Sequence, residues 1–214
     1  MLPIRTVFFD LDATLWPPHD VAVTAFRQVL EKLGQPVPSD EVLLSNLGYQ
    51  TSEIWQRLLP NATPELQQQA RQLMGVTELA LLKQGTARPF PGVVQTLAQL
   101  HQAGLVLCIL SNCEGNYLRA VPDALGIGRY FSNRFCAEDY PGRTKSEILR
   151  QVLPRFEQPA AMVGDRWHDI KAGLSNGLLT IGCAFGVGQE NELAAAHYRI
   201  QEFSQLTTIL LGLN

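Results

Sequence analysis

Residues 4–14, Ile-Arg-Thr-Val-Phe-Phe-Asp-Leu-Asp-Ala-Thr, combine a short apolar run with two closely spaced acids. The run at 4–9 is rich in β-branched and aromatic residues, which predicts a buried strand. Asp10 and Asp12 follow it, at the end of a strand where open α/β sheets bind ligands. Their i, i+2 spacing puts both side chains on one face of an ideal strand. This segment is therefore a candidate both for a core strand and for a functional site.

Strand and helix patterns alternate along the second half of the chain. Strand-like apolar runs lie at 105–110, 160–163 and 179–185, with weaker ones at 134–137 and 198–200. Helical patterns cover 93–102, 116–125, 145–153, 168–176 and 204–211. This alternation predicts an α/β fold, with a Rossmann-like, mainly parallel sheet sandwiched by helices.

One long segment interrupts the alternation directly after the first strand. Residues 17–88 contain helical signals only, and prolines punctuate both ends. The predicted helix starts are Asp20, Ser39, Thr51 and Thr63-Pro64. We therefore predict a core domain made of residues 1–15 and 91–214, and an inserted four-helix cap domain made of residues 16–90.

The composition excludes several classes of protein. The chain has 214 residues, of which 46% are hydrophobic and 17% charged, with a formal net charge of −3, as is typical of globular proteins. It has no basic run that would indicate nucleic-acid binding, and no apolar run near the ~20 residues that span a bilayer. Charges in the first 12 residues disfavour a signal peptide, and the four cysteines show no paired spacing. We expect a cytoplasmic protein without nucleic-acid or membrane partners, as a monomer or weak homodimer.

Two acidic clusters are the strongest candidates for chemistry. Asp10 and Asp12 repel each other if they are unpaired and buried, and a bound cation removes that cost. Their oxygens favour a hard ion such as Mg²⁺, which takes further ligands from phosphate. Asp165 and Asp169 form the second cluster, just after the run at 160–163. The simpler alternative is that these acids are solvated or, for Asp169, complement a helix dipole.

Two further polar groups flank predicted elements. Ser111 and Asn112 follow the strand at 105–110 and can donate to a phosphate oxygen, although both also favour a plain turn. Lys145 begins a predicted helix, where a cation is unfavourable unless an anion lies nearby. Taken alone, the simpler interpretation of Lys145 is a solvated lysine.

The order of these clusters on one α/β chain resembles the haloacid-dehalogenase-like superfamily. Its four motifs are matched by residues 10–14, Ser111, Lys145, and Gly164-Asp165 with Asp169. A four-helix cap after the first motif resembles the phosphoglycolate-phosphatase-like branch of that superfamily. Further segments that resemble this branch are 89–92, 164–166 and 185–188.

This resemblance implies a Mg²⁺-dependent phosphatase that hydrolyses a small-molecule phosphate monoester through an aspartyl-phosphate. Asp10 would be the nucleophile, and Asp12 would be the general acid and then the general base. Mg²⁺ would be held by Asp10, the backbone carbonyl of Asp12 and Asp165, with Asp169 in support. The presence of Asp12 also favours a phosphatase over a dehalogenase within this superfamily, because dehalogenation has no leaving alcohol to protonate and the dehalogenating members lack this second acid.

The resemblance also implies which side chains bind the phosphoryl group. Ser111 and Lys145 would bind its oxygens, and Thr14 and Asn112 are second-rank candidates. Ala13 departs from the family pattern, which has Gly in the first motif, and its methyl is tolerated if φ is negative. Lys145 also lacks the proline that often follows this lysine in relatives.

Substrate and reaction type stay open at this point. Phosphoglycolate leads through the resemblance alone, and its carboxylate would need a cation from the cap. Arg57 and Arg88 are the candidates, although both are more simply surface arginines. A β-phosphoglucomutase-like mutase shares the acid pair and the cap, and a non-catalytic binding protein on this fold is the alternative from another class. Trp16, beside the acid pair, either lines the site or packs in the hinge.

Overall fold

A six-stranded parallel sheet lies at the centre of the computed structural model, which describes residues 3–212. The strands are β1 (Thr6–Phe9), β2 (Val106–Ser111), β3 (Asn133–Cys136), β4 (Ala160–Gly164), β5 (Leu179–Cys183) and β6 (Tyr198–Ile200). Their order in the sheet is β3-β2-β1-β4-β5-β6, and every pairing is parallel. The predicted α/β fold is confirmed, and the strand bounds differ from the predicted ones by at most two residues.

Helices cover both faces of this sheet. The first face carries α5 (Val93–Gln102), α6 (Gly115–Ala124) and α9 (Gln205–Leu211), and the second α7 (Lys145–Val152) and α8 (Trp167–Ser175). Val7 and Phe9 pack into the first face, whereas Phe8 packs into the second, and all three are fully buried. Because β1 is buried on both faces, its sequence is a continuous apolar run rather than an alternating one.

Four further helices occupy the segment between β1 and α5. They are α1 (His19–Lys32), α2 (Asp40–Ser45), α3 (Thr51–Leu58) and α4 (Pro64–Leu82). Their buried side chains form a separate cluster, in which the rings of Phe26 and Trp55 meet edge to face with centroids 5.7 Å apart. The division of the chain at 16 and 90 remains a prediction, and its outer ends, residues 1–2 and 213–214, lie outside the described residues.

Local signals account for where these helices begin. The Thr63 hydroxyl accepts a hydrogen bond from the Leu66 amide, and Pro64 takes the first helical position, as predicted. α1 begins at His19, before the predicted start at Asp20. Asp20 therefore lies in the first turn, where its charge complements the helix dipole without capping it.

The strand order reverses at β1, which has β2 on one side and β4 on the other. Phe9 is in register with Ile109 of β2 and Val163 of β4. The carboxyl ends of these three strands therefore lie side by side. Such a topological switch point forms the crevice in which open α/β sheets bind ligands.

Two expectations from composition can be compared with the structure. All four cysteines are free thiols, three of them buried. Within residues 3–212, no helix combines the length and the apolar character needed to cross a membrane.

Candidate active site

Three buried carboxylates meet at the carboxyl ends of β1 and β4. Asp10 follows β1, Asp165 follows β4, and Asp169 lies in the first turn of α8. Each offers an oxygen within 4.8 Å of the others, and the three residues are 4%, 0% and 1% exposed. The structure thus brings together two acidic motifs that lie about three-quarters of the chain apart.

Lys145 is paired with this cluster. Its Nζ atom lies 2.6 Å from Asp10 Oδ1 and 2.6 Å from Asp169 Oδ1. The side chain is buried, so the interpretation as a solvated lysine is wrong. Burial alone would lower the pKa of Lys145, but the charges of Asp10 and Asp169 raise it above its usual value. Lys145 therefore stays charged at the start of α7. The positive end of the helix dipole repels its ammonium there, and the two carboxylates offset this repulsion.

The acid cluster carries more negative charge than Lys145 balances. Burial raises the pKa of Asp10 well above its usual value, although the ammonium of Lys145 lowers it. The charges of Asp169 and Asp165 raise this pKa further. Burial, with the charge of Asp169, raises the pKa of Asp165 to about 7. A divalent cation would remove this cost, and carboxylate oxygens are hard ligands. The donor set therefore fits a cation such as Mg²⁺.

The carboxylate of Asp165 is fixed by neighbours on both of its oxygens. The Thr14 hydroxyl donates to Oδ1 over 3.1 Å, and the Val187 amide donates to Oδ2 over 2.9 Å. The hydroxyl that the resemblance implied for phosphate is thus engaged with Asp165. Gly164 allows the close approach of Asp169, since a Cβ there would lie 2.2 Å from the carboxylate carbon of Asp169.

Two aromatic donors hold the carboxylate of Asp12. Trp16 Nε1 and the Tyr117 hydroxyl both donate to Oδ1, over 3.0 and 2.8 Å. Burial raises the pKa of Asp12 to about 6, although these two hydrogen bonds oppose it. A carboxyl group with a pKa near neutrality can hold and release a proton. Trp16 packs in the core, and it also positions Asp12.

Tyr117 is a functional residue that the sequence analysis missed. It lies on α6, 105 positions from Asp12. No local pattern marks it, because its partner is met only when α6 packs beside the end of β1.

Ala13 lies in the left-handed region of backbone conformation, with φ at 59°. Its methyl was expected to be tolerated if φ is negative, and φ is positive instead. The reason is the tight turn after β1, in which the Ala13 amide donates to the Trp16 carbonyl over 2.9 Å. A non-glycine residue costs about 1–2 kcal/mol in this conformation.

The two polar residues at the end of β2 have different environments. Ser111 is buried, and its Oγ accepts a hydrogen bond from the Cys113 amide over 3.2 Å, which leaves the hydroxyl proton for another acceptor. Asn112 Nδ2 donates to the Gly48 carbonyl in the cap over 2.7 Å. The buried Oδ1 of Asn112 has no hydrogen-bond partner among residues 3–212. Asn112 thus joins the core to the cap.

Arg166 is a second link between the site and the cap. Its backbone amide donates to Asp169 Oδ2 over 3.0 Å. Its guanidinium donates to the carbonyls of Ser45, the last residue of α2, and of Leu47, and it pairs with Glu192 over 2.9 Å. One residue therefore contacts both the acid cluster and the cap, a role that the sequence analysis did not assign.

A cavity of about 370 Å³ separates the acid pair from the cap. Asp10, Asp12 and Ser111 line it from the core, and side chains of α1, α3 and α4 line it from the cap. Its volume is at the small end of the range of ~300–1,000 Å³ for small-molecule sites. It can therefore hold a compact leaving group next to Asp10 and Asp12.

The arginines that were candidates for binding a substrate carboxylate do not line this cavity. Arg57 donates from Nε to Asn46 Oδ1 over 2.8 Å, and its guanidinium lies over the Tyr49 ring. Arg88 donates to the backbone carbonyls of residues 85 and 87. Both side chains are exposed, which agrees with the simpler interpretation of surface arginines.

Known proteins resemble this chain in sequence and in fold. Residues 4–177 match the family described as haloacid dehalogenase-like hydrolase. A phosphoglycolate phosphatase of Vibrio cholerae serotype O1 is 27% identical over 207 residues, which cover 92% of this chain and 91% of the relative. A 5′-nucleotidase of Pseudomonas aeruginosa is 25% identical over 211 residues, covering 90% and 89%. The crystal structure of a predicted phosphoglycolate phosphatase from Haemophilus somnus 129pt has the same fold, with a TM-score of 0.88, 19% identity, and 98% and 99% coverage.

Proposed function

Because this chain belongs to the haloacid dehalogenase-like hydrolase family and is a phosphatase enzyme, we propose that it hydrolyses a small-molecule phosphate monoester through an aspartyl-phosphate, with Mg²⁺ as cofactor. The resemblance that the four motifs predicted is confirmed by the family match. One observation carries the proposal: two carboxyl groups line one end of the cavity, and a buried ammonium pairs with one of them. These groups are Asp10, Asp12 and Lys145.

Asp10 is the nucleophile in this proposal. One of its carboxylate oxygens forms a bond to phosphorus while the bond from phosphorus to the leaving oxygen breaks, which yields the aspartyl-phosphate. Lys145 favours the ionised form of Asp10, and its ammonium neutralises charge on the phosphoryl oxygens. The Ser111 hydroxyl, which retains its proton, donates to a phosphoryl oxygen, with Asn112 beside it.

Asp12 moves the proton in both halves of the reaction. In its neutral form it donates a proton to the leaving oxygen, so that an alcohol departs. As a carboxylate it then takes a proton from the water that attacks the aspartyl-phosphate, which releases phosphate and restores Asp10. Trp16 and Tyr117 orient Asp12 for both transfers.

The acid cluster would hold Mg²⁺ through Asp10, the Asp12 carbonyl and Asp165, with Asp169 in support. When bound, the ion neutralises charge between the attacking carboxylate and the phosphate. Thr14 contributes by fixing Asp165. The fit rests on three buried carboxylates, of which only Asp10 and Asp169 pair with the ammonium of Lys145.

Phosphatase chemistry is favoured over the two alternatives. A mutase must hold a second phosphate, and the lining of the cavity, within the described part of the chain, contains no Lys or Arg for it. A non-catalytic binding protein has no need for a nucleophile, an acid and a paired lysine in one cluster. Phosphoglycolate remains the reference substrate, because phosphoglycolate phosphatases are among the relatives of this chain.

We also propose a cytoplasmic monomer or weak homodimer that acts without nucleic acid. Four free cysteines are typical of a reducing compartment. The formal net charge of −3 gives no electrostatic attraction to phosphate backbones.

Phosphate release from a panel of substrates tests the proposed function. The panel contains phosphoglycolate, sugar phosphates, nucleoside monophosphates and p-nitrophenyl phosphate, each with Mg²⁺ and with EDTA. Wild type is compared with Asp10→Asn and with Asp20→Asn, which changes an exposed acid of the cap. We expect release that requires Mg²⁺, vanishes in Asp10→Asn and survives in Asp20→Asn. Release that persists in EDTA or in Asp10→Asn would overturn the mechanism.

A further inference from the structure

We infer that the substrate is the phosphate ester of a small hydroxyl- or amino-alcohol, whose leaving group carries no negative charge and donates a hydrogen bond to Glu78. This inference rests on the proposed phosphatase function and identifies its substrate class. Glu78 lies on α4 and lines the cavity together with Asp12.

The charge of the cavity lining disfavours an anionic leaving group. Four carboxylates line the cavity, those of Asp10, Asp12, Glu78 and Glu114. Among the described residues, the lining includes no Lys, Arg or His. Like charges brought together in one site cost several kcal/mol. A carboxylate or second phosphate on the leaving group would therefore meet repulsion without a compensating cation.

The two glutamates of the lining differ in what they contact. Glu114 accepts a hydrogen bond from Arg71 Nε over 2.5 Å, so its charge is already paired. Glu78 has no hydrogen-bond or ion-pair partner within residues 3–212. Burial raises the pKa of Glu78 well above its usual value, and the charges of Asp12 and Glu114 raise it further. A ligand that donates to Glu78 would relieve this cost.

The position of Glu78 matches the position of the leaving group. Asp12 gives its proton to the leaving oxygen, so the carbon attached to that oxygen lies beside Asp12. Glu78 lines the same cavity as Asp12 and its partner Tyr117. The charge of Asp12 raises the pKa of Glu78, and the charge of Glu78 raises the pKa of Tyr117. A hydroxyl or ammonium one or two carbons from the leaving oxygen is therefore placed to reach Glu78.

The remaining cap wall is apolar and suits a short carbon skeleton. It is formed by Phe26, Ile54, Trp55, Met74 and Leu79. Such a wall contributes by burying carbon atoms and offers no donor to an anion. The site thus combines a phosphoryl end, a carbon wall and one acidic acceptor.

Three phosphate esters of matched size test this inference. Phosphoglycolate, 2-hydroxyethyl phosphate and phosphoethanolamine each have a two-carbon leaving group, which ends in a carboxylate, a hydroxyl or an ammonium. We expect wild-type kcat/KM for the hydroxyl and ammonium compounds to exceed that for phosphoglycolate by about tenfold or more, since each tenfold is about 1.4 kcal/mol of differential binding. The control variant Glu65→Gln, at an exposed position of the same helix, should keep this order.

Two variants of Glu78 test the residue itself. Glu78→Gln should narrow the ratio of kcat/KM between phosphoethanolamine and phosphoglycolate by about tenfold, because it removes the charge that distinguishes them. Glu78→Lys should reverse the order in favour of phosphoglycolate. Thermal unfolding verifies that each variant is folded. If either variant does not fold, the order of kcat/KM for the three esters with wild type still tests the inference.

The outcomes separate this inference from the proposed function. The inference would be overturned if wild type preferred phosphoglycolate, or if the Glu78 variants kept the wild-type ratio of kcat/KM between phosphoethanolamine and phosphoglycolate. The phosphatase function would stand in either case. Absence of phosphate release from all three esters and from p-nitrophenyl phosphate would overturn the phosphatase function, and the inference with it.

Discussion

The Nζ atom of Lys145 lies 2.6 Å from Oδ1 of Asp10, although the two residues are 135 positions apart in the sequence. Both side chains are almost fully buried. The pairing joins the start of α7 to the end of β1, and so connects a helix on one face of the sheet to the residue proposed as nucleophile. Removing Lys145 leaves the buried carboxylates of Asp10 and Asp169 without their shared ammonium.

Lys145→Met should therefore lower the free energy of unfolding, measured in urea with EDTA, by about 3–5 kcal/mol. The loss arises because Asp10 and Asp169 remain buried without their shared cation. Mg²⁺ should restore part of the stability but no phosphate release, since the phosphoryl oxygens have lost their ammonium. The control is Lys83→Met, at an exposed position. Equal stability of the two variants would show that the buried pair contributes nothing.

Mg²⁺ should raise the melting temperature of the wild type, because a ligand that binds only the folded state stabilises it by about 2.7 kcal/mol at 100 times its Kd. Asp165→Asn and Asp169→Asn each remove a carboxylate from the cluster, and we expect both to lose most of this increase. Asp20→Asn serves as the control in the same thermal-shift measurement. A full Mg²⁺ response in either cluster variant would place the ion elsewhere.

The sequence was most informative where an apolar strand is followed at once by an acid. Asp10 after β1 and Asp165 after β4 were predicted because strand burial and chain order follow from local pattern. The parallel arrangement then brings the carboxyl ends of these strands together without further information. This is why the acid cluster could be predicted although its members lie far apart in the chain.

The remaining contacts depend on partners that no local pattern reveals. The local sequence around Lys145 indicates a solvated side chain, and only the folded chain supplies its two carboxylates. Tyr117 and Glu78 lie on helices whose sequences satisfy ordinary amphipathic packing, so their approach to Asp12 leaves no signal. The positive φ of Ala13 was equally hidden, because it is set by a turn and not by the residue itself.

Ala13→Gly should stabilise the protein by up to about 1 kcal/mol, because glycine adopts a φ of 59° without the cost that alanine incurs. Thermal unfolding measures the change. Ala80→Gly is the matched control within α4, where glycine should destabilise by about 1 kcal/mol. Destabilisation by both substitutions would mean that the methyl of Ala13 contributes more through packing than it costs in backbone strain.

Gly48→Ala should weaken the contact between cap and core more than Gly34→Ala does. Both glycines have positive φ, at 89° and 64°, so both variants carry the same kind of backbone strain. A Cβ on Gly48 would lie 3.0 Å from Arg166 Cγ, whereas one on Gly34 has nothing within 4 Å. We expect about 1–3 kcal/mol of additional destabilisation for Gly48→Ala.

The Gly48 substitution also has a functional consequence. The Gly48 carbonyl accepts from Asn112, so displacement of this loop opens the cavity. The KM for p-nitrophenyl phosphate should rise in Gly48→Ala and stay near the wild-type value in Gly34→Ala. Equal effects on KM would show that the contact with Arg166 does not hold the cap in place.

The capping box that begins α7 should make the stability of the protein depend on pH. The Glu147 carboxylate accepts from the Thr144 amide and from its hydroxyl, both over 2.8 Å, and these hydrogen bonds lower the pKa of Glu147 below its usual 4.5. Because the folded-state pKa lies below the unfolded one, this stabilisation is present above about pH 4.5 and is lost as the pH falls through the folded-state pKa. Glu147→Ala should therefore melt at a lower temperature than wild type near neutral pH, and the gap should narrow as the pH falls below 4.5. Glu31→Ala, at an exposed position of α1, should show no such narrowing, and a gap for Glu147→Ala that is independent of pH would exclude the ionised cap.

Since Lys145 is the first residue of α7, fraying of this turn should also reduce phosphate release by Glu147→Ala.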